Sequence, residues 1–320
     1  MKSNNILVVG CGAIAKSFHL PALVKSIPRE NIYLYDIDQK NAEDLADHFN
    51  LKNILKDLEH IPSDIRGAIV AVPFEFSFEI TLSLLKKKIN VLCEKPIATN
   101  SEQIIQLSDS AKNNNVFLCG NHTRRFFPSI IKLKKELQSH KIQEINIFEG
   151  DPFSWNSKSG FYFKGSRGVL LDRGPHVINI VNYLTNNQSL SAEKFMHNAQ
   201  PNCPESHCKI ILSSNNIKIK IIMSWIYKLA NEIEIITNKG KFNIGISSFN
   251  YFSFSNSKSN NNFTAYPIKT QFNQMSTFVI SSFLDQINFQ TSNSILLEDI
   301  RSSVLLIENL YNIGEQINEW

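Results

Sequence analysis

Two short segments of this 320-residue chain carry side chains that could move a proton. The first is Glu94-Lys95-Pro96, which directly follows the apolar run at 91–93. Open parallel sheets bind ligands at the carboxyl ends of their strands, so Lys95 could hold a ligand oxygen and stabilise negative charge that develops on it. The alternative is a surface lysine paired with a nearby acid, which contributes little energy.

The second segment is Asp172-Arg173-Gly174-Pro175-His176. A separation of four residues puts Asp172 and His176 on the same side of a helix. There the carboxylate would fix the tautomer of the imidazole and raise its basicity, so the pair could act as a general base. Pro175 suits the first turn of a helix and Gly174 the bend before it, which predicts a helix beginning at this point. The alternative is an aspartate that caps the helix beside a histidine that packs.

A glycine turn near the N terminus could bring a nucleotide to these groups. A short apolar strand leads into Gly10, which permits a tight turn, and Gly12 lets the backbone approach a diphosphate. The small Ala15 lets the following helix pack closely on the strand, and that helix directs its N–H groups at the phosphates. A second strand ends on Asp36, 21 positions after Ala15, near the spacing expected for an acid that binds ribose hydroxyls.

These features predict a dinucleotide site rather than an ordinary strand–turn–helix without a ligand. Asp36 favours NAD over NADP, because its carboxylate would face the extra phosphate and no arginine follows at 37 or 38, although Lys40 could reach that region. The predicted cofactor-binding residues are Gly10, Gly12, Ala13, Ile14, Asp36, Val72, Pro73, Glu94 and Lys95.

The two halves of the chain differ in pattern. Residues 1–121 alternate strand and helix, which predicts an α/β domain with a doubly wound parallel sheet, and residues 122–320 form a second domain. In the second domain successive strand-like runs are joined by short polar turns, which predicts a mostly antiparallel sheet. The segment 255–262 is read as a polar loop. The strand-like runs are 142–149, 208–212, 217–225 and 232–237.

Composition excludes several classes of protein. The chain is 42% hydrophobic and 19% charged, and its net charge of +4 is spread along the sequence, which argues against nucleic-acid binding. Cys203 and Cys208 flank His207, but no second pair of ligands follows, so no metal site is expected. The cysteines form no disulfide framework, and no apolar run approaches the ~20 residues of a membrane helix. The expected location is therefore the cytoplasm.

The motifs occur in an order that resembles a known family. The glycine turn, Asp36, Val72-Pro73, Glu94-Lys95-Pro96 and Asp172-x-Gly-x-His176 follow one another as in the glucose–fructose oxidoreductase, inositol dehydrogenase and MocA family. The resemblance covers essentially the whole chain. It implies an N-terminal Rossmann domain and a C-terminal α+β domain whose open, mostly antiparallel sheet commonly forms a dimer or tetramer interface.

The resemblance also implies an activity. Members of this family transfer a hydride between nicotinamide and a hydroxyl or keto carbon of sugars, sugar nucleotides or cyclic polyols. Carried over by residue, Lys95 is the catalytic lysine, and Asp172 and His176 are the acidic and basic partners. The chain departs from the family pattern at three positions near the site, where it carries Phe74, Ser77 and Asn179.

Candidates for substrate contact lie between the two motifs. Trp155 could stack on a sugar ring and Asn156 could bind its hydroxyls, although both could equally pack on the neighbouring strand. Arg124 and Arg125 follow the last Rossmann strand, where an arginine could clamp a phosphate or carboxylate or pair with an acid.

Two other functions remain open. One is a non-catalytic NAD(P)-binding sensor on the same fold, and the other is a lyase or epimerase that retains its NAD. A sensor needs none of Lys95, Asp172 and His176, so their presence favours an enzyme.

Overall fold

The computed structural model describes residues 4–152, 168–201, 203–246, 251–264, 272–290 and 295–317. The chain divides into two compact units. The first contains Met1–Thr123 and Gln271–Arg301, and the second contains Arg124–Thr270 and Ser302–Trp320.

The first unit contains a six-stranded sheet in the order β3-β2-β1-β4-β5-β6, and every pair of neighbouring strands is parallel. This is the Rossmann order, with its topological switch point between β1 and β4. The doubly wound α/β fold predicted from the sequence is therefore confirmed. The strands are β1 (Asn5–Val9), β2 (Ile32–Tyr35), β3 (Asn53–Ile54), β4 (Ile65–Val70), β5 (Asn90–Cys93) and β6 (Leu118–Gly120).

The second unit contains a nine-stranded sheet in the order β14-β13-β12-β11-β7-β10-β9-β8-β15. Among the described strands of this second sheet only the pairs β7–β10 and β8–β15 are parallel, so the expected mostly antiparallel sheet is confirmed. The strands are β7 (Ile142–Gly150), β8 (Ser191–His197), β9 (His207–Ser214), β10 (Ile217–Ser224), β11 (Glu232–Thr237), β12 (Gly240–Gly245), β13 (Tyr251–Ser255), β14 (Asn260–Thr264) and β15 (Glu315–Gln316).

The polar loop expected at 255–262 is wrong in its second half. The asparagine-rich segment from Asn260 onward is β14, which pairs antiparallel with β13. A backbone ladder needs no apolar side chain, so the polar composition concealed this edge strand.

Eight α-helices lie in the described part of the chain, and none of them is both long and apolar enough to cross a membrane. A single π-helical turn, Ala15–His19, precedes the first of them. The helices are α1 (Leu20–Ser26), α2 (Gln39–Phe49), α3 (Phe74–Lys86), α4 (Ser101–Asn113), α5 (Pro128–Glu136), α6 (Val169–Leu184), α7 (Phe272–Phe289) and α8 (Leu297–Ile313).

Helix α7 changes the division expected from the sequence. The helix comes after 147 residues of the second unit but belongs to the first. The chain therefore returns to the first unit, and a single boundary between 1–121 and 122–320 does not describe it. The cause is packing on the parallel sheet. The helix brings Phe283 and Ile287 so close to Gly67 that a Cβ there would lie 2.7 Å from Ile287 Cδ1. Arg66 also donates to the Ile287 carbonyl at 3.0 Å.

Candidate active site

The predicted cofactor-binding residues follow successive strands at the carboxyl edge of the first sheet. Gly10 to Ile14 follow β1, Asp36 follows β2, Val72 and Pro73 follow β4, and Glu94 and Lys95 follow β5. This is the edge at which open α/β sheets bind their ligands. The sequence pattern thus identified residues that the fold of one unit brings to one edge.

The two glycines of the turn have different structural roles. Gly10 has φ +93°, and a Cβ on it would lie 2.5 Å from the Ala71 carbonyl oxygen, so the switch point itself requires glycine. A Cβ on Gly12 would meet no atom of the described residues within 4 Å. No contact among the described residues therefore requires glycine at position 12. A ligand that approaches the backbone closely would require it, because a side chain would block that approach.

Asp36 is held against the glycine turn. Its Oδ2 accepts a hydrogen bond from the Cys11 N–H at 2.7 Å, and its Oδ1 accepts one from the Asp38 N–H at 2.9 Å. A carboxylate has about four acceptor positions, so these bonds fix its orientation and leave capacity for ribose hydroxyls. The residues present fit a bound dinucleotide.

Glu94 lies in a polar cluster that the sequence did not reveal. Its Oε1 contacts His19 Nε2 at 2.7 Å and accepts a hydrogen bond from the Asn121 amide at 2.6 Å. Burial raises the pKa of this carboxyl, but the hydrogen bonds from His19 and Asn121 and the nearby charge of Lys95 more than offset it and hold the pKa below its ordinary value. Glu94 is therefore an anion held directly beside Lys95.

The fold explains why His19 escaped detection. Its ring is fully buried, and it follows the glycine turn by nine residues, on the π-helical turn that widens the helix at that point. Such turns occur frequently at functional sites, but no simple sequence period signals them.

Helix α6 carries Asp172 and His176 in the second unit. They are one turn apart on the same side of the helix, as their spacing predicts. Asp172 Oδ2 accepts a hydrogen bond from the Trp225 indole at 3.3 Å, and Trp225 directly follows β10. The pair is thus supported by the end of a central strand.

The predicted start of this helix is wrong. The helix begins at Val169 with Gly168 at the N-cap, and Pro175 lies inside it. Proline lacks the N–H that would bond to the carbonyl four residues earlier, so local propensity disfavours this arrangement. Glu205 supplies the start instead. Its backbone carbonyl accepts from the Val169 N–H at 2.8 Å, and its Oε1 accepts from the Leu170 N–H at 3.2 Å.

Glu205 is fixed by further contacts. The Tyr311 hydroxyl donates to its Oε1 at 2.8 Å, and a Cβ on Gly168 would lie 2.0 Å from its backbone oxygen. Burial raises the pKa of the Glu205 carboxyl, only partly opposed by the hydrogen bonds from Tyr311 and Leu170. No local pattern in the sequence links residue 205 to a helix that begins 36 positions earlier.

The candidate anion-binding arginines have protein partners. Arg124 forms a bidentate ion pair with Glu149, with distances of 2.7 Å and 2.6 Å. Arg125 lies over the ring of Tyr183, with 4.7 Å between its guanidinium carbon and the ring centroid. Of the two roles expected for Arg124, binding an anionic ligand or pairing with an acid, the structure shows the pairing with an acid.

The positions that depart from the family pattern are accommodated in different ways. The Ser77 hydroxyl donates to the Phe74 carbonyl at 3.0 Å, so a local hydrogen bond satisfies it. Asn179 is buried on α6, and neither atom of its amide has a hydrogen-bond partner among the described residues. Trp155 and Asn156 lie outside the described residues.

Comparison with known proteins finds a family match for the N-terminal part of the chain. Residues 4–122 match the model of an oxidoreductase family with an NAD-binding Rossmann fold, GFO_IDH_MocA. The N-terminal part of the chain is thus similar to this family, whose motifs the sequence resembles.

One curated relative is glucose-6-phosphate 3-dehydrogenase of Bacillus subtilis, which is 28% identical over 187 residues. The match covers 55% of this chain and 52% of the relative, so the chain spans about half of that enzyme's length.

Two solved structures share the fold over nearly the whole chain. A 3-ketoreductase from Actinomadura kijaniata, in complex with NADP and TDP-benzene, has a TM-score of 0.83 at 15% identity and covers 98% of this chain and 99% of its own. An oxidoreductase from Agrobacterium radiobacter, in complex with NAD+, L-tartaric acid and magnesium, has a TM-score of 0.83 at 16% identity, with 98% and 96% covered. At these identities the likeness establishes the fold alone.

Proposed function

We propose that this chain is an NAD-dependent oxidoreductase that acts on a hydroxyl or keto carbon of a sugar, sugar nucleotide or cyclic polyol. The observation that carries the proposal is the carboxyl edge of the parallel sheet, where an open Gly12, the fixed carboxylate of Asp36 and Lys95 follow three of the strands. A sensor would need only the first two. Lys95, Asp172 and His176 favour the enzyme over the sensor.

The cofactor would be held by the turn from Gly10 to Ile14 and by Asp36, with Val72, Pro73 and Glu94 beside it. When bound, the nicotinamide accepts a hydride from the substrate carbon or returns one to it. We assign NAD rather than NADP because the Asp36 carboxylate would repel an added phosphate. Proteins of the same fold contain NADP in one case and NAD+ in another, so titration with both dinucleotides tests this assignment.

The proposed acid–base roles follow from the chemistry of each group. His176 takes the hydroxyl proton during oxidation, and Asp172, oriented by the Trp225 indole, stabilises the imidazolium that forms. Lys95 stabilises the negative charge that develops on the substrate oxygen, and the Glu94 anion beside it favours the charged ammonium. Trp155 and Asn156 are proposed sugar contacts on residue chemistry alone, while the stacking of Arg125 on Tyr183 supports a packing role for that arginine.

The test follows absorbance at 340 nm with NAD or NADH against a panel of sugars, inositols, and their phosphorylated, nucleotide-linked and keto derivatives. Lys95→Ala should lower turnover by about 10²- to 10⁴-fold, which is the contribution typical of a side chain that assists proton transfer in the transition state. NADH affinity, followed by fluorescence, should change by less than about threefold. An interaction that forms only in the transition state lowers turnover without weakening the binding of the cofactor. Lys86→Ala, at an exposed position near the end of α3, is the matched control and should be neutral.

The other outcomes assign the remaining functions. Equal turnover in Lys95→Ala and wild type would refute the role of the lysine. Bound NADH with no turnover on any substrate would favour the sensor, and NAD retained through purification would favour a lyase or epimerase. Failure to bind either dinucleotide would refute the proposal as a whole.

The second sheet and the cysteines support a proposal for the assembly and the location. Alternate residues of β11 are buried and half-buried, which leaves one face of the sheet less covered and fits a homo-oligomer formed through it. All five cysteines are free thiols, which fits the reducing cytoplasm. Light scattering would show a dimer or tetramer in place of a monomer.

A further inference from the structure

A cluster of two arginines and one glutamate lies beside Asp172 in the second unit. Glu149 is almost entirely buried near the end of β7, and its two carboxylate oxygens are bound by Arg124 at 2.7 Å and 2.6 Å. Arg173, the residue after Asp172, approaches the same carboxylate only to 3.9 Å. Two cations therefore share one anion, and the bidentate pair already neutralises it.

Arg173 is left with an unusual environment for a guanidinium. Its side chain is only 14% exposed, yet among the described residues it makes no hydrogen bond, and Glu149 is the only acid within ion-pair distance. A largely buried cation is costly unless an anion with hydrogen-bonding oxygens pairs with it. The five N–H donors of an arginine suit a phosphate or a carboxylate in particular, because they present a planar fork to it.

The position of Arg173 links this cation to the proposed chemistry. The register of the sheet sets Glu149 on β7 opposite Met223 on the parallel neighbour β10. Arg173 reaches toward the end of β7, while Asp172 bonds to Trp225 at the end of β10. Neighbouring strands lie about 4.8 Å apart, a separation that one sugar-sized molecule spans.

We propose that Arg173 binds an oxyanion, a phosphate or a carboxylate, on the same small molecule whose carbon is oxidised or reduced. The substrate is then an acidic sugar or polyol rather than a neutral one. This inference rests on the proposed function and narrows its substrate class. Arg124 holds Glu149 and thereby keeps that carboxylate from neutralising Arg173.

The experiment compares matched pairs of substrates in the wild type and in Arg173→Gln. Glucose 6-phosphate and glucuronate are each compared with glucose, so that phosphate and carboxylate are distinguished, and myo-inositol phosphate is compared with myo-inositol. The wild type should favour an anionic member by at least about tenfold in kcat/KM. Arg173→Gln should lose about 10- to 100-fold on that substrate, mainly through KM, because one charge-assisted, bidentate contact is lost.

Two variants separate recognition from stability. Arg173→Lys keeps the charge without the fork and should restore part of the loss, and Arg301→Gln, at an exposed position on α8, should have no effect. Turnover of glucose or myo-inositol by Arg173→Gln should stay within about threefold of wild type. Equal losses on neutral and anionic substrates, or a wild type that prefers the neutral member, would overturn the inference while leaving the oxidoreductase intact.

A binding measurement covers the case in which no compound is turned over. Calorimetric titration of the NADH-saturated wild type with glucose 6-phosphate, glucuronate and glucose should give at least tenfold tighter binding of an anionic sugar, lost in Arg173→Gln. Absence of that difference would refute the inference. Absence of turnover alone would refute only the proposed activity.

Discussion

Replacing Gly12 by alanine separates the needs of the fold from the needs of the cofactor. A Cβ at this position meets no described atom within 4 Å, and Gly12 is exposed, so the protein should accept the methyl group. The backbone at Gly12 lies outside the left-handed region, so alanine can adopt its conformation. Because alanine also restricts the unfolded chain, the free energy of unfolding should stay unchanged or rise by about 0.4–1 kcal/mol. The methyl group would instead occupy space that a diphosphate needs.

The expected loss is one of binding. If the methyl group displaces a phosphate from one charged hydrogen bond to the backbone, the cost is about 1.5–3 kcal/mol, which weakens NADH binding by about 10- to 100-fold. Fluorescence titration measures the dissociation constant, and urea unfolding of the same samples measures stability. Unchanged NADH affinity in Gly12→Ala would refute the assignment of this turn to the cofactor.

Gly10→Ala is the matched comparison. The residue adopts φ +93°, and its Cβ would lie 2.5 Å from the Ala71 oxygen and 2.8 Å from Val72 Cγ1. The left-handed conformation costs roughly 1–2 kcal/mol and overpacking roughly 1–3 kcal/mol, so the free energy of unfolding should fall by about 2–5 kcal/mol. A stability loss in Gly12→Ala as large as that in Gly10→Ala would mean that the two glycines serve the same structural purpose.

Glu94 and Glu205 should show opposite dependences of stability on pH. Because the pKa of folded Glu94 is lowered, its contribution is present above the unfolded value of about 4.3 and is lost as pH falls. Glu94→Gln should therefore cost about 2 kcal/mol at pH 7 and less at pH 4, and an equal cost at both pH values would contradict this. The pKa of folded Glu205 is raised, so stability falls as pH rises above about 4.3. In urea unfolding at increasing pH from about 4.5, the stability of Glu205→Gln should rise relative to that of wild type until the folded carboxyl has ionised, and a difference that does not change with pH would contradict this prediction.

Local features of the site could be predicted because short-range physics determines them. The glycine turn, the strand that ends on Asp36 and the one-turn spacing of Asp172 and His176 depend on neighbours within a few residues. The alternation of strand and helix likewise predicted the parallel sheet, since consecutive crossovers leave few other topologies.

Contacts between distant residues could not be predicted in this way. The pairing of His19 with Glu94 joins positions 75 residues apart, and the ion pair of Arg124 with Glu149 depends on the path of β7. Both arise from side chains that are common on protein surfaces, and only burial by the folded sheets turns them into fixed partners.

The sequence by itself determined the class of fold, and it predicted the glycine turn and the candidate acid–base residues. The tertiary structure alone decided where α6 begins, because Glu205 caps it from a distant strand connection and overrides the local preference of Pro175. It also decided that α7 packs with the parallel sheet and that Arg173 shares its only acid among the described residues with Arg124. Helix and turn preferences are local free energies, whereas capping, pairing and burial depend on which distant residues the packed chain brings together.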